Sequence, residues 1–292
     1  MSGSLFRSRA AYGGPDISLV YECRMKKIVL LWTVLSVAGL YPAFPQTATE
    51  VPVKKIAEDS QSGLELWETM LGRLWIPGPG IDVIRHLQWE QVVEKVYDHP
   101  LVHVRPGDVV IDCGAHIGAF TRVALRSGAK TVVAVEPERA NIWAFRRNFE
   151  KEIESGQVKL VPKGVWDSAG KLPLHLSTVV DSHSLVVPQN SGKEETVDVT
   201  TLDSLVGGLS LPRVDFIKMD IEGAELRALR GARKVLAKYQ PRLAISSYHL
   251  KGDPAAICAL VWQVRTDYLV TSKDLVKAEA GALVPKVLFF YR

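Results

Sequence analysis

With 292 residues, 47% of them hydrophobic and 23% charged, the chain has the make-up of an ordinary globular protein and enough apolar mass for a sizeable core. Its net charge of +4 is concentrated at the start, where Arg7, Arg9, Arg24, Lys26 and Lys27 face only Asp16 and Glu22. The remainder is close to neutral and has no basic stripe interleaved with aromatics, which argues against nucleic acid as the main partner. Cys23, Cys113 and Cys258 make no Cys-x-x-Cys pair and no His/Cys cluster, which argues against a disulfide framework or a zinc site and for a reduced environment.

In chain order, residues 1–24 read as an upstream extension if translation starts at Met25. Met25-Lys26-Lys27 precedes an apolar run from Ile28 to Leu40 and a small-residue exit, so residues 25–46 read as a signal-like or anchor segment. Extended to Phe44, residues 28–44 reach the short limit of a membrane span, which makes membrane association an expectation. Residues 47–105 read as a linker and a helical N-terminal cap. Pro45, Pro52, Lys54 and Lys55 mark the linker up to residue 62. The spacing of Leu64, Trp67, Leu71 and Leu74 then predicts a short helix, and Ile84 to Val96 a second one.

Residues 106–292 alternate between strand and helix patterns, which predicts an α/β domain with a mostly parallel sheet, helices on both faces and a doubly wound architecture. Strands are predicted at Val109–Ile111, Thr131–Val135, Val158–Val165, Asp215–Met219, Arg242–Ser247, Tyr268–Ser272 and Val287–Tyr291. Helices are predicted at Phe120–Arg126, Asn141–Ile153, Glu225–Ala237 and Ala255–Val264, with short strands and turns between residues 170 and 200.

Two runs carry the chemistry. Val109-Val110-Ile111-Asp112-Cys113-Gly114-Ala115-His116-Ile117-Gly118 reads as a strand, a glycine turn and a helix start, and Glu136 ends the next strand 22 residues after Gly114. An acid there can hold two ribose hydroxyls. A nicotinamide site wants such an acid too, but it also needs Gly-x-Gly-x-x-Gly, and this chain has only Gly114-x-x-x-Gly118. The second run is Lys218-Met219-Asp220-Ile221-Glu222-Gly223-Ala224-Glu225. Alternation puts Phe216, Lys218 and Asp220 on one face of its strand, where a lysine and a carboxylate tolerate burial together. The helix dipole alone explains Glu225. His249 follows the next strand and, at its ordinary pKa, suits proton removal from a hydroxyl; a structural histidine is the competing explanation. Asp181-Ser182-His183-Ser184 lies in the irregular stretch where a substrate would enter.

Together these runs resemble the FkbM-type family of S-adenosylmethionine-dependent methyltransferases, over roughly residues 100–250. The resemblance implies a Rossmann-like, seven-stranded sheet whose last strand inserts antiparallel, and S-adenosylmethionine as cofactor. It implies cofactor contacts from Asp112, Gly114, Ala115, His116, Gly118 and Glu136, with Val165 and Trp166 beside the adenine. His116 stands where the family often has Asn. Asp220 would lie beside the sulfonium methyl, with Lys218 and His249 completing the catalytic group and Glu222 and Ser182 facing the acceptor. The implied reaction is O-methylation of a small-molecule, sugar or lipid-linked hydroxyl acceptor. No supporting His spacing suggests a metal.

A nicotinamide-dependent oxidoreductase and a non-catalytic envelope protein are the competing expectations. S-adenosylmethionine is cytosolic, whereas lysines before an apolar run favour sending the rest of the chain across a membrane. A cytoplasmic catalytic domain, anchored or not, is therefore the expected location, with export as its rival.

Overall fold

The computed structural model describes residues 47–177, 182–189, 191–277 and 283–292. The extension and the signal-like segment lie outside the described residues. Among the described residues no helix is long and apolar enough to cross a membrane.

After a single 3-10 turn at Ala48–Glu50, strands β1 (Lys54–Asp59), β2 (Leu64–Thr69) and β3 (Gly72–Pro77) form an antiparallel meander. This corrects two expectations, the polar linker up to residue 62 and the helix over Leu64–Leu74. The helix-like spacing arises because a tight turn at Met70-Leu71 folds two strands back to back, so their inward residues meet on one side. Trp67, Leu74 and Ile76 pack there with Val83, Ile84 and Leu87 of helix α1 (Ile81–Gln88). The predicted second helix survives as α1 followed by a π-helical turn, Trp89–Glu94. Its partners include Ile117 and Ala144 of the α/β domain, so the N-terminal layer shares a core with that domain.

Strand β4 (Val109–Cys113) is buried along its whole length, as a central parallel strand requires. It is followed by α2 (Ala119–Arg126), β5 (Thr131–Val135), α3 (Arg139–Asn148), α4 (Glu150–Glu154) and β6 (Val158–Val161). The predicted strand Val158–Val165 breaks at Pro162, which has no N–H to give a ladder. Its second half becomes β7 (Gly164–Val165), which joins β8 (Gly170–Leu176) and β9 (Lys193–Thr200) in a separate small sheet.

Helix α5 (Leu202–Gly208) was not expected; Thr201 caps it by accepting from Ser204 N at 3.0 Å. Strand β10 (Phe216–Met219) follows. The single helix expected at Glu225–Ala237 is two, α6 (Glu225–Arg230) and α7 (Arg233–Tyr239). Asp203 accepts from the amides of Lys234 and Val235, so a carboxylate from another element caps the second helix and fixes the break. The chain ends with β11 (Arg242–Ser246), α8 (Asp253–Val264) and the hairpin β12 (Leu269–Lys277) and β13 (Leu283–Tyr291).

The main sheet has seven strands in the order β12-β13-β11-β10-β4-β5-β6, parallel from β11 to β6, with β13 antiparallel between β11 and β12. Val110, Val132, Phe216, Ala244 and Phe289 pack from it against Phe120, Phe145 and Phe149 of the helices. The chain winds outward from β4 to β6, then returns to β10 on the other side of β4. That reversal leaves a crevice at the carboxyl ends of β4 and β10, where a doubly wound sheet binds its ligand.

Candidate active site

A cavity of about 300 Å³ opens at that crevice, at the lower end of the range for small-molecule sites. It is lined by Gly114, Ala115 and His116 after β4, by Glu136 after β5, by Val165, and by Lys218, Asp220 and Glu222 after β10. Ser182 lies on its wall as well, so nine of the sequence-predicted residues meet at one cavity. Tyr97, Tyr248, Asn141 and Glu90 join them without having been expected.

The glycine turn is set by how closely two strands approach. A Cβ on Gly114, whose φ is +75°, would lie 1.9 Å from the backbone oxygen of Asp220. Only glycine lets the two strand ends converge there. Gly118, at φ +97°, is the N-cap of α2, and a Cβ would lie 2.0 Å from the Phe149 ring. Gly118 therefore seats the helix and does not line the cavity.

Glu136 is buried and fixed from three sides. It accepts from His116 N at 2.8 Å, from Glu138 N at 3.0 Å and from the Asn141 amide at 3.4 Å. Burial outweighs these bonds and pushes its carboxyl up to about 7. Asn141, whose Oδ1 is buried without a hydrogen-bond partner, lines the same wall.

Parallel pairing puts Lys218 directly beside Asp112. The Lys218 ammonium lies 3.3 Å from Asp112 Oδ1 and donates to the carbonyls of Gly114 at 2.8 Å and Cys113 at 3.3 Å. Burial works against its charge, but Asp112 and then Asp220 outweigh it and hold the ammonium above its usual pKa. Asp112 itself is fully buried, also accepts from Thr121 Oγ1 at 2.7 Å, and does not reach the cavity. It holds Lys218, and Lys218 holds the turn.

Asp220 accepts from the Tyr97 hydroxyl at 2.5 Å. Burial opposes its charge, yet Lys218, His249 and Tyr97 keep it below the usual carboxylate range. His249 stands just behind the cavity wall, with Nε2 3.4 Å from Asp220 Oδ1 and 3.6 Å from Glu222 Oε2, and Nδ1 3.1 Å from Glu225 Oε1. Burial would lower its pKa, but these carboxylates, Glu225 foremost, raise it to about 10. The same carboxylates favour the protonated imidazole, so His249 does not keep the ordinary pKa at which the sequence expects it to act as a base.

Trp166 lies outside the cavity, with the Arg227 guanidinium 5.4 Å above its ring. Of the predicted polar loop, Asp181 lies outside the described residues. Ser184, next to the predicted Ser182 and His183, ties the loop down by donating to Glu222 O at 2.6 Å. Tyr97 gave no local signal, because it stands 123 residues from the carboxylate it holds.

Sheet order, glycine turn, the acid after β5 and the carboxylate after β10 define an α/β protein of the methyltransferase class. Residues 112–268 match the methyltransferase FkbM domain, and the chain belongs to that family. Methyltransferase 1 of Beauveria bassiana is 29% identical over 169 residues, 51% of this chain and 67% of that protein. Hexuronic acid methyltransferase AglP of Haloferax volcanii is 25% identical over 188 residues, 64% of this chain and 74% of its own. The crystal structure of methyltransferase FkbM from Methylobacillus flagellatus superposes with a TM-score of 0.47 at 22% identity, over 73% of this chain. The match covers 54% of that longer chain.

Proposed function

We propose that the chain transfers a methyl group from S-adenosylmethionine to a hydroxyl of a small, oxygen-rich acceptor. The observation that carries this is one cavity that gathers Asp220 and Glu222 after β10, the Gly114–His116 turn after β4 and Glu136 after β5, three adjacent strands of the sheet. The residues present suit the cofactor. Glu136 offers a carboxylate to a ribose diol, Asn141 has an unused buried oxygen on the same wall, and Val165 and Leu174 give apolar surface for a base. When bound, the cofactor supplies a methyl already activated on a sulfonium, so the chain's main task is positioning.

Glu136 holds one end of the cofactor. Lys218 and Asp112 keep the turn closed against it. Asp220, fixed by Tyr97, orients the acceptor oxygen at the other end. The name of the relative AglP points to sugar acids as acceptors to screen first. The missing third glycine and the family membership speak against the nicotinamide alternative.

Calorimetric titration with S-adenosylmethionine and, separately, with NAD tests the cofactor. Micromolar binding of the first alone supports the proposal, and binding of NAD alone defeats it. Asp220→Asn should bind cofactor like the unchanged chain yet lose turnover; full turnover in that variant removes Asp220 from the reaction.

A further inference from the structure

Behind the acceptor end of the cavity the molecule collects more negative charge than its hydrogen bonds use. Asp220, Glu225 and His249 each bring a donor atom within 4.8 Å of the others. Three atoms of these side chains, Asp220 Oδ1, Glu225 Oε2 and His249 Nε2, are buried without a hydrogen-bond partner. The His249 side chain is only 7% exposed, so water does not make good the deficit at Nε2.

The two ring nitrogens face different surroundings. Nδ1 is hydrogen-bonded to Glu225 Oε1, and Glu225 is itself held by accepting from Ile221 N at 2.9 Å. That contact fixes the orientation of the ring. Nε2 then faces Asp220 Oδ1 at 3.4 Å and Glu222 Oε2 at 3.6 Å, and neither contact has hydrogen-bond geometry. A proton on Nε2 is therefore held by charge alone, without a hydrogen bond. A cation would use both carboxylates: donors bonded at about 2.1 Å to one metal stand roughly 3 to 3.5 Å apart, close to the two spans from Nε2. A histidine whose far nitrogen is held by a carboxylate is also the usual support of a metal-bound imidazole.

We propose that His249 Nε2, Asp220 Oδ1 and Glu222 Oε2 bind one divalent cation at the cavity wall, with Glu225 orienting His249. One imidazole and two carboxylates suit a first-row ion such as Mn²⁺ that keeps open positions for water or substrate. Asp220 and Glu222 line the cavity, so those positions face it. A cation there would bind and acidify the acceptor hydroxyl, favouring acceptors with a second oxygen beside it. This last consequence rests on the methyl-transfer proposal; the cation site does not.

The test is titration of the full chain, freed of metal by chelation, with Mn²⁺ and no cofactor, following free Mn²⁺ by electron paramagnetic resonance. One ion per chain at micromolar concentrations is expected. Glu222→Gln and Asp220→Asn should weaken it at least tenfold, and Glu225→Gln by about 10- to 100-fold as an outer-shell change. Glu222 is 28% exposed, so Glu222→Gln should fold even if the buried variants do not, and thermal melting checks this. No uptake at millimolar Mn²⁺, or equal affinity in Glu222→Gln and the unchanged chain, overturns the proposal. Mn²⁺ binding without S-adenosylmethionine binding keeps the cation site and removes the methyl-transfer reading. Cofactor binding without Mn²⁺ uptake does the reverse.

Discussion

Glu136 gives the sharpest test of the cofactor end, because burial holds its carboxyl at about 7. A ribose diol donates both hydroxyls, so it binds the ionised form. If binding requires that form, affinity rises with pH and levels off above the pKa. About a tenth of the carboxyl is ionised one unit below its pKa and about nine-tenths one unit above. The dissociation constant should therefore be roughly ten times larger at pH 6 than at pH 8, about 1.4 kcal/mol. The cofactor's own α-amino group titrates in the same window. Methylthioadenosine, which keeps the ribose and base but lacks the amino acid, removes that ambiguity. Calorimetry with it across this range should give the rising curve for the unchanged chain and a flat, weaker one for Glu136→Gln. A flat curve in the unchanged chain, or the same slope in Glu136→Gln, would refute the assignment.

The same shift has a stability consequence. A carboxyl whose folded pKa lies above its unfolded value of 4.5 favours the fold fully below that value, and this advantage is lost as pH rises to about 7. The ligand-free chain should lose on the order of 3 kcal/mol of stability across this window, read by denaturant titration, and Glu136→Gln should lose less. Asp112→Ala leaves the Lys218 ammonium buried without its partner, so a loss of about 3–5 kcal/mol and of cofactor affinity is expected. Unchanged melting and calorimetric affinity would show that the pair is idle. Gly114→Ala sets a Cβ against the Asp220 carbonyl, and calorimetry should find cofactor binding abolished. Near-normal affinity would mean that the two strand ends can part without cost.

The turn after β4 and the acid after β5 were legible in the sequence because their signals are local. Gly114 and Glu136 sit at strand ends that apolar runs announce, and a strand end needs no partner to be recognised; Asp112, expected to touch the cofactor, is instead buried beneath the turn. The acceptor end was legible only as a list of residues. Asp220 and Lys218 are two apart in sequence, yet the partner Lys218 meets in the adjacent strand is Asp112, and the group hydrogen-bonded to Asp220 is Tyr97. The hairpin at Leu64–Pro77 was misread because a folded-back pair of strands reproduces a helical spacing of apolar residues.

By itself, the sequence determined that an α/β sheet with a glycine turn would form, since hydrophobic period and turn chemistry act over a few residues. Which carboxylate faces the cavity, which is buried as support, and which charges surround His249 were decided by the tertiary structure. Those properties depend on burial and on charges brought together from β4, β10, β11 and the loop that carries Tyr97, and Coulomb forces follow distance in space rather than distance along the chain.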